Sequence, residues 1–401
     1  MDGGVFTVNA ARDSARRAFG VATGFLVVVA ALGALLRWQS VWPMAGVNYM
    51  HWLHAHSHTA FLGWVFNAFF ALALHRFVAK EDLAAFRRLF LIAQVAVVGM
   101  LIAYPIQGYG AVSIAFSTLH MVCSVVFAWR LWRRNRATPA ARIHLRTGLA
   151  FMIVSGLGPL TLGPLAALGM RDSPAYLLSI YFYLHCQYNG WFMFFLQALA
   201  WQDMPEDRTA DARRSALWLG AGAVLTLVLS ALWLHPPGWV YVVAALGGAA
   251  QLAGCFYLLR GLRGFGRGFG GVARGLVGLA GAAFLLKHAL QAASAWPALE
   301  SLVNHRFMVI AFLHLVFLGL VTPALLAWAL RLGWLRDGGW TRAGLGMFFA
   351  GAVVSQAVLV GAPLGWVCPR LMETLLAATL LMLVGAAVIA ANLERKKRSP
   401  E

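Results

Sequence analysis

The apolar residues of this 401-residue chain come in blocks of about 20, separated by short polar or Pro/Gly-rich punctuation. A helix rises about 1.5 Å per residue, so one such block matches a hydrocarbon core roughly 30 Å thick. Twelve blocks are read, at residues 18–37, 51–74, 86–105, 109–130, 147–168, 174–200, 214–234, 238–259, 272–296, 306–330, 343–361 and 371–392. The fold class implied is an all-α integral membrane protein, with residues 1–401 forming a single transmembrane helical domain. Composition agrees: 61% of residues are hydrophobic and only 11% charged, whereas an ordinary soluble enzyme would be about 25% charged. Residues 1–17 are polar and the first block is long enough to span, so no cleaved signal peptide is expected. The four cysteines show no paired spacing, which argues against a disulfide framework.

A net charge of +18 would suit a nucleic-acid binder, but its distribution excludes that class. With the N-terminus inside, 27 of the 32 basic residues fall in inner segments, including Arg12, Arg16 and Arg17, the run Arg130 to Arg146, and Arg395 to Arg398. Only Arg37, Arg171, Arg306 and Arg370 fall outside, and Lys287 alone lies deep within a block rather than at its end. This is the positive-inside pattern for an even number of spans with both termini cytoplasmic, in a bacterial-type inner membrane. The basic excess is thus an orientation signal, and its expected partner is anionic membrane lipid rather than nucleic acid.

The histidines carry the functional information. His51, His54, His56 and His58 open the second block, His120 lies in the fourth, His185 in the sixth and His314 in the tenth. On the expected topology His120, His185 and His314 each sit about ten residues below the outer surface, on the order of 15 Å deep, and Lys287 with His288 reaches a similar depth from the ninth block. Ionisable groups in a bilayer are costly and need partners, so their convergence favours a metal, a haem or a proton path over packing. At 100° per residue, His51, His54 and His58 share one helix face within about 60°, whereas His56 points about 140–200° away. One face therefore offers an i, i+4 histidine pair suited to a single metal ion, and the other offers a lone histidine suited to an axial haem position.

At these residues the chain resembles the subunit I fold of the haem-copper oxidase and nitric oxide reductase superfamily, in particular the cytochrome cbb-type oxidases. His56, Gly63, Asn67 and Ala68 in HSHTAFLGWVFNA match that family's second-helix pattern, and His314, Leu315, Leu318 and Gly319 match its tenth-helix pattern. The resemblance implies a twelve-helix bundle in which His56 and His314 are the axial ligands of one low-spin haem b. His185, with Asn189 and Gly190 after it, stands where the family places its first copper ligand.

The departures from the family are equally specific. Phe312 occupies the position of the high-spin haem ligand, and residues 214–234 contain no histidine where the family has an adjacent pair. The usual binuclear centre cannot be assembled. His54, His58, His120 and His185 remain as candidates for a separate copper or iron site, or as residues bonded to buried carbonyls. His185, Tyr188 and Lys287 are the candidates for catalytic work there. Lys287 calls for a propionate, a bound anion, or a neutral state in a proton path with Gln291 and Ser294. The expected activity is electron transfer, from quinol or a periplasmic cytochrome, with reduction of nitric oxide or oxygen at a non-standard site. The alternatives are a non-catalytic haem or copper protein for sensing, assembly or metal handling, and a transporter for an anion or metal.

Overall fold

The computed structural model describes residues 3–394, with side chains from Asp13 onward, so Arg12 and the basic run 395–398 lie outside the described side chains. The elements are helices throughout. In chain order they are α1 (Gly3–Val41), α2 (Tyr49–Arg76), α3 (Lys80–Gln107), α4 (Ala111–Arg133), α5 (Pro139–Ala167), α6 (174–201), α7 (Glu206–Leu234), α8 (Gly238–Gly261), α9 (Gly271–Ala293), α10 (Arg306–Arg331), α11 (Gly339–Leu364) and α12 (Leu371–Ala391).

Among the described residues, eleven of these are long and apolar enough to cross a membrane. The remaining one, α6, is helical throughout its length, but it carries Tyr181, Tyr183, His185, Gln187, Tyr188 and Asn189 in its middle. Polar side chains at that density lower its hydropathy below that of its neighbours, although Gln187 and Asn189 are buried. Several helices outrun the apolar blocks by a turn or more: α1 begins well before residue 18, and α7 begins at Glu206 rather than near 214. Helical hydrogen bonding continues where hydropathy stops, because charged side chains in the end turns reach water without breaking the backbone ladder.

By contact the chain divides into two compact units. One comprises Met1–Cys123, Phe269–Gly278 and Thr322–Glu401, and the other Ser124–Gly268 and Leu279–Val321. In the first unit α12 packs against both α11 and α1, and α1 packs along α2. The α11–α12 contact depends on small residues: a Cβ on Gly385 would lie 2.5 Å from the Phe348 backbone nitrogen and 2.7 Å from the Gly344 carbonyl. Lipid offers no hydrophobic incentive for helices to associate, so such close backbone approach supplies the dispersion contact that holds the pair. In the second unit α7 pairs with α8 and α5 with α6.

Three helices contain a stretch of wider, π-type turn: Thr59–Phe66 in α2, Cys186–Trp191 in α6 and Leu315–Val321 in α10. The residue before each stretch is a histidine, respectively His58, His185 and His314. Insertions of this kind are rare, re-aim the side chains around them, and concentrate at functional positions.

Because the atoms facing Gly385 are backbone and cannot move aside, Gly385→Leu is expected to destabilise the first unit by about 1–3 kcal/mol. A lowered thermal midpoint of the detergent-purified protein, with unchanged helical circular dichroism at low temperature, is the measurement that checks it.

Candidate functional site

The first unit contains the α2 histidines, and their rings separate as the helical angles require. His56 turns towards α1, where its Nδ1 lies 3.0 Å from the Val29 carbonyl oxygen. A carbonyl only accepts, so Nδ1 carries the hydrogen and Nε2 is the lone-pair nitrogen. The approach is possible because α1 has no side chain at Gly33: a Cβ there would meet His56 Cε1 at 3.2 Å. Gly63, in the π stretch, likewise lets the Phe25 ring pack against the α2 backbone, with a Cβ falling 2.9 Å from that ring. Asn67 has a structural part, since its side-chain amide pairs reciprocally with that of Gln94 on α3 at 2.9 and 3.0 Å.

The opposite face of α2 meets the α3–α4 connection. His58 Nε2 is 3.1 Å from the Tyr109 hydroxyl, and its ring stacks on Tyr104 with centroids 4.5 Å apart. His54 packs against Tyr109 at 4.4 Å, and His51 Nδ1 lies 3.4 Å from the Pro105 carbonyl. His120, on α4, sits edge-on to Phe66 at 4.8 Å and is buried. Tyr104 and Tyr109 complete this aromatic group. Nothing in the chain order marked Tyr104 or Tyr109 as a neighbour of His54 and His58. Among the described residues no group of three or more His, Cys, Asp or Glu side chains is gathered as a metal site.

The second unit holds His185, Lys287 and a continuous polar network. Lys287 is completely buried and donates to the side-chain oxygens of Asn189 and Gln291, the latter at 3.0 Å. Its third neighbour is His288 Nε2 at 3.5 Å. His288 Nδ1 is 2.8 Å from the Phe284 carbonyl and must donate to it, which leaves Nε2 as an acceptor facing the lysine. An ammonium has three donors, and three acceptors surround it.

The network runs outward from Lys287 in two branches. Asn189 Nδ2 donates to His185 Nδ1 at 3.1 Å, and His185 Nε2 donates to the Ala223 carbonyl at 2.7 Å. Gln291 Nε2 donates to the Thr226 hydroxyl at 3.0 Å, and Thr226 donates to the Gly222 carbonyl at 2.8 Å. Gln251 also donates to Thr226, at 3.2 Å. Both branches end on adjacent carbonyls of α7, whose hydrogen bonding changes to the tighter 3-10 pattern at Thr226–Leu234. Both ring nitrogens of His185 are therefore engaged. Ser294 takes no part, since its hydroxyl donates to the Leu290 carbonyl. Tyr188 packs by its ring against His185 and Phe312, with centroids 5.9 and 5.7 Å apart.

His314 ends the α-helical part of α10, in the second unit, directly before its π stretch. A further histidine of this unit, His144, was not singled out in the sequence. It bonds Gln197 at 2.9 Å and the Ala212 carbonyl at 3.1 Å, and is a packing residue.

Removing the Lys287 ammonium leaves two buried amide oxygens without donors, at about 1–3 kcal/mol for each. Lys287→Met is expected to lower the thermal midpoint accordingly. In the double variant Lys287→Met/Asn189→Leu the combined loss should be smaller than the sum of the two single losses, because the residues share one network. Additive losses would show that the two act independently.

No family model matches this chain, and no curated protein matches it. Among solved structures it is similar to a chain of a haem-copper terminal oxidase dimer determined by cryo-EM, with a TM-score of 0.70 at 13% identity. The match covers 97% of this chain and 85% of the other. The fold, a bundle of long helices, is therefore similar to that of a chain of a haem-copper terminal oxidase, at low sequence identity.

Proposed function

We propose that this chain is a haem-b-binding membrane redox protein of the oxidase subunit I type, in which His56 and His314 are the axial ligands of one low-spin haem. The observation that carries this reading is the state of the His56 ring. A metal-ligating histidine commonly donates its second ring N–H to a carbonyl, which fixes the tautomer and raises the basicity of the ligating nitrogen. His56 has that arrangement with the Val29 carbonyl, leaving Nε2 as the available donor atom. The donor chemistry fits haem iron, and the oxidase-type architecture supports the assignment.

A haem held there supplies reversible one-electron transfer. The chain's own residues position the ligand: Val29 and Gly33 orient and admit the His56 ring, Gly63 brings Phe25 against α2, and the Asn67–Gln94 pair ties α2 to α3. On this reading the electron comes from quinol or a periplasmic cytochrome. Reduction of nitric oxide or oxygen at a copper or iron held from among His54, His58, His120 and His185 is the catalytic extension of the proposal, and it requires these side chains to move, since among the described residues they are not gathered as a metal site.

One observation favours the second reading, a haem protein without a catalytic centre of its own. His185 spends both ring nitrogens on Asn189 and the Ala223 carbonyl, which leaves no lone pair for a metal unless the network rearranges.

The test is the reduced-minus-oxidised optical spectrum of the purified protein. A b-type α band is expected in the wild type, lost in both His56→Ala and His314→Ala and retained in His185→Ala. A colourless wild-type protein overturns the haem assignment. Turnover of nitric oxide or oxygen that disappears in His185→Ala with the α band intact supports the catalytic extension, and no turnover with any donor supports the second reading.

A further inference from the structure

In the first unit a cavity of about 320 Å³ opens beside the start of the membrane-spanning part of α1, lined by Arg16, Arg17 and Gly20, by Trp334 after α10, and by Leu393 and Glu394 after α12. It lies at the end of α1 that carries Arg16 and Arg17.

The chemistry of its walls is one-sided. The Trp334 side chain is 1% exposed and its Nε1–H, buried, has no hydrogen-bond partner. The ring is held between Phe19 and His75, with centroids 5.4 and 5.5 Å away, so the donor cannot swing out to find an acceptor. Arg17 makes no ion pair among the described residues, and Arg16 stands 3.8 Å from Asp13. The carboxylate at the rim, Glu394, is bonded by Arg336 at 2.9 Å. The cavity thus combines two guanidinium groups with an apolar wall that includes Trp334. Gly20 keeps it open, since a Cβ there would meet nothing within 4 Å.

We propose that this cavity binds the phosphodiester headgroup of an anionic phospholipid. The guanidinium groups of Arg16 and Arg17 engage the phosphate oxygens, which their planar forks match. The acyl chains continue along the apolar flank of α1, beside the Trp334 ring. A free phosphate offers the same oxygens but has nothing to place against Gly20 and Leu393. This site is independent of the haem assignment.

The experiment is native mass spectrometry of the delipidated full chain in detergent, titrated separately with phosphatidylglycerol, phosphatidylcholine and inorganic phosphate. One phosphatidylglycerol per chain is expected to be retained at least tenfold more tightly than phosphatidylcholine. Arg16→Gln/Arg17→Gln should abolish that preference. Gly20→Phe, which fills the cavity and keeps both charges, should weaken phosphatidylglycerol binding at least tenfold. The remote pair Arg133→Gln/Arg134→Gln should leave it unchanged. Retention unaffected by Gly20→Phe, equal retention of the two lipids, or displacement of phosphatidylglycerol by inorganic phosphate overturns the proposal.

Discussion

A lysine in the interior of a membrane protein, bonded by no carboxylate, must be solvated by the protein itself, and much of the second unit follows from that demand around Lys287. Water would offer an ammonium mobile acceptors; here Asn189, Gln291 and His288 are fixed ones. Each amide that accepts from Lys287 has an N–H₂ end that must donate onward, so the requirement spreads to His185, Thr226 and the carbonyls of α7. A buried polar network is favourable only when nearly every member is satisfied. Here one demand accounts for Asn189 in α6, for Thr226 and Gln251 in otherwise apolar helices, and for the definite tautomer of His185.

The three π stretches express a related constraint on the histidine helices. A regular helix repeats side-chain directions every turn, so a histidine and its motif partners cannot all be aimed independently. Inserting a wider turn directly after His58, His185 or His314 separates the direction of the residues before it from those after it. In α2 this lets His54, His56 and His58 keep ordinary helical spacing while Gly63 and Asn67 serve packing against α1 and α3.

Much of the frame was legible in the chain order, because block length and charge placement are local properties set by the thickness and asymmetry of a bilayer. The two faces of the α2 histidines were legible for the same reason, since Tyr49–His58 is regular helix. Side-chain partners were not. Tyr109 meets His58 across 51 positions, Val29 meets His56 across 27, and Lys287 meets Asn189 across 98. No periodicity encodes such pairings. Asn189, read in the sequence only as the residue four after His185, is in the structure the link between a lysine and a histidine. Ser294, one helical turn from Gln291, looked like the next step of a path and instead caps a carbonyl of its own helix.

The tether between His56 and Val29 places a control on α1, a helix that supplies no candidate ligand. The strength of that hydrogen bond sets how much electron density the imidazole can give through its other nitrogen. With a haem in place, a small slide of α1, or a methyl group at Gly33 pressing on Cε1, would register as a change in midpoint potential rather than as loss of the cofactor. The driving force of electron transfer would then be adjustable from a part of the chain that never touches the iron.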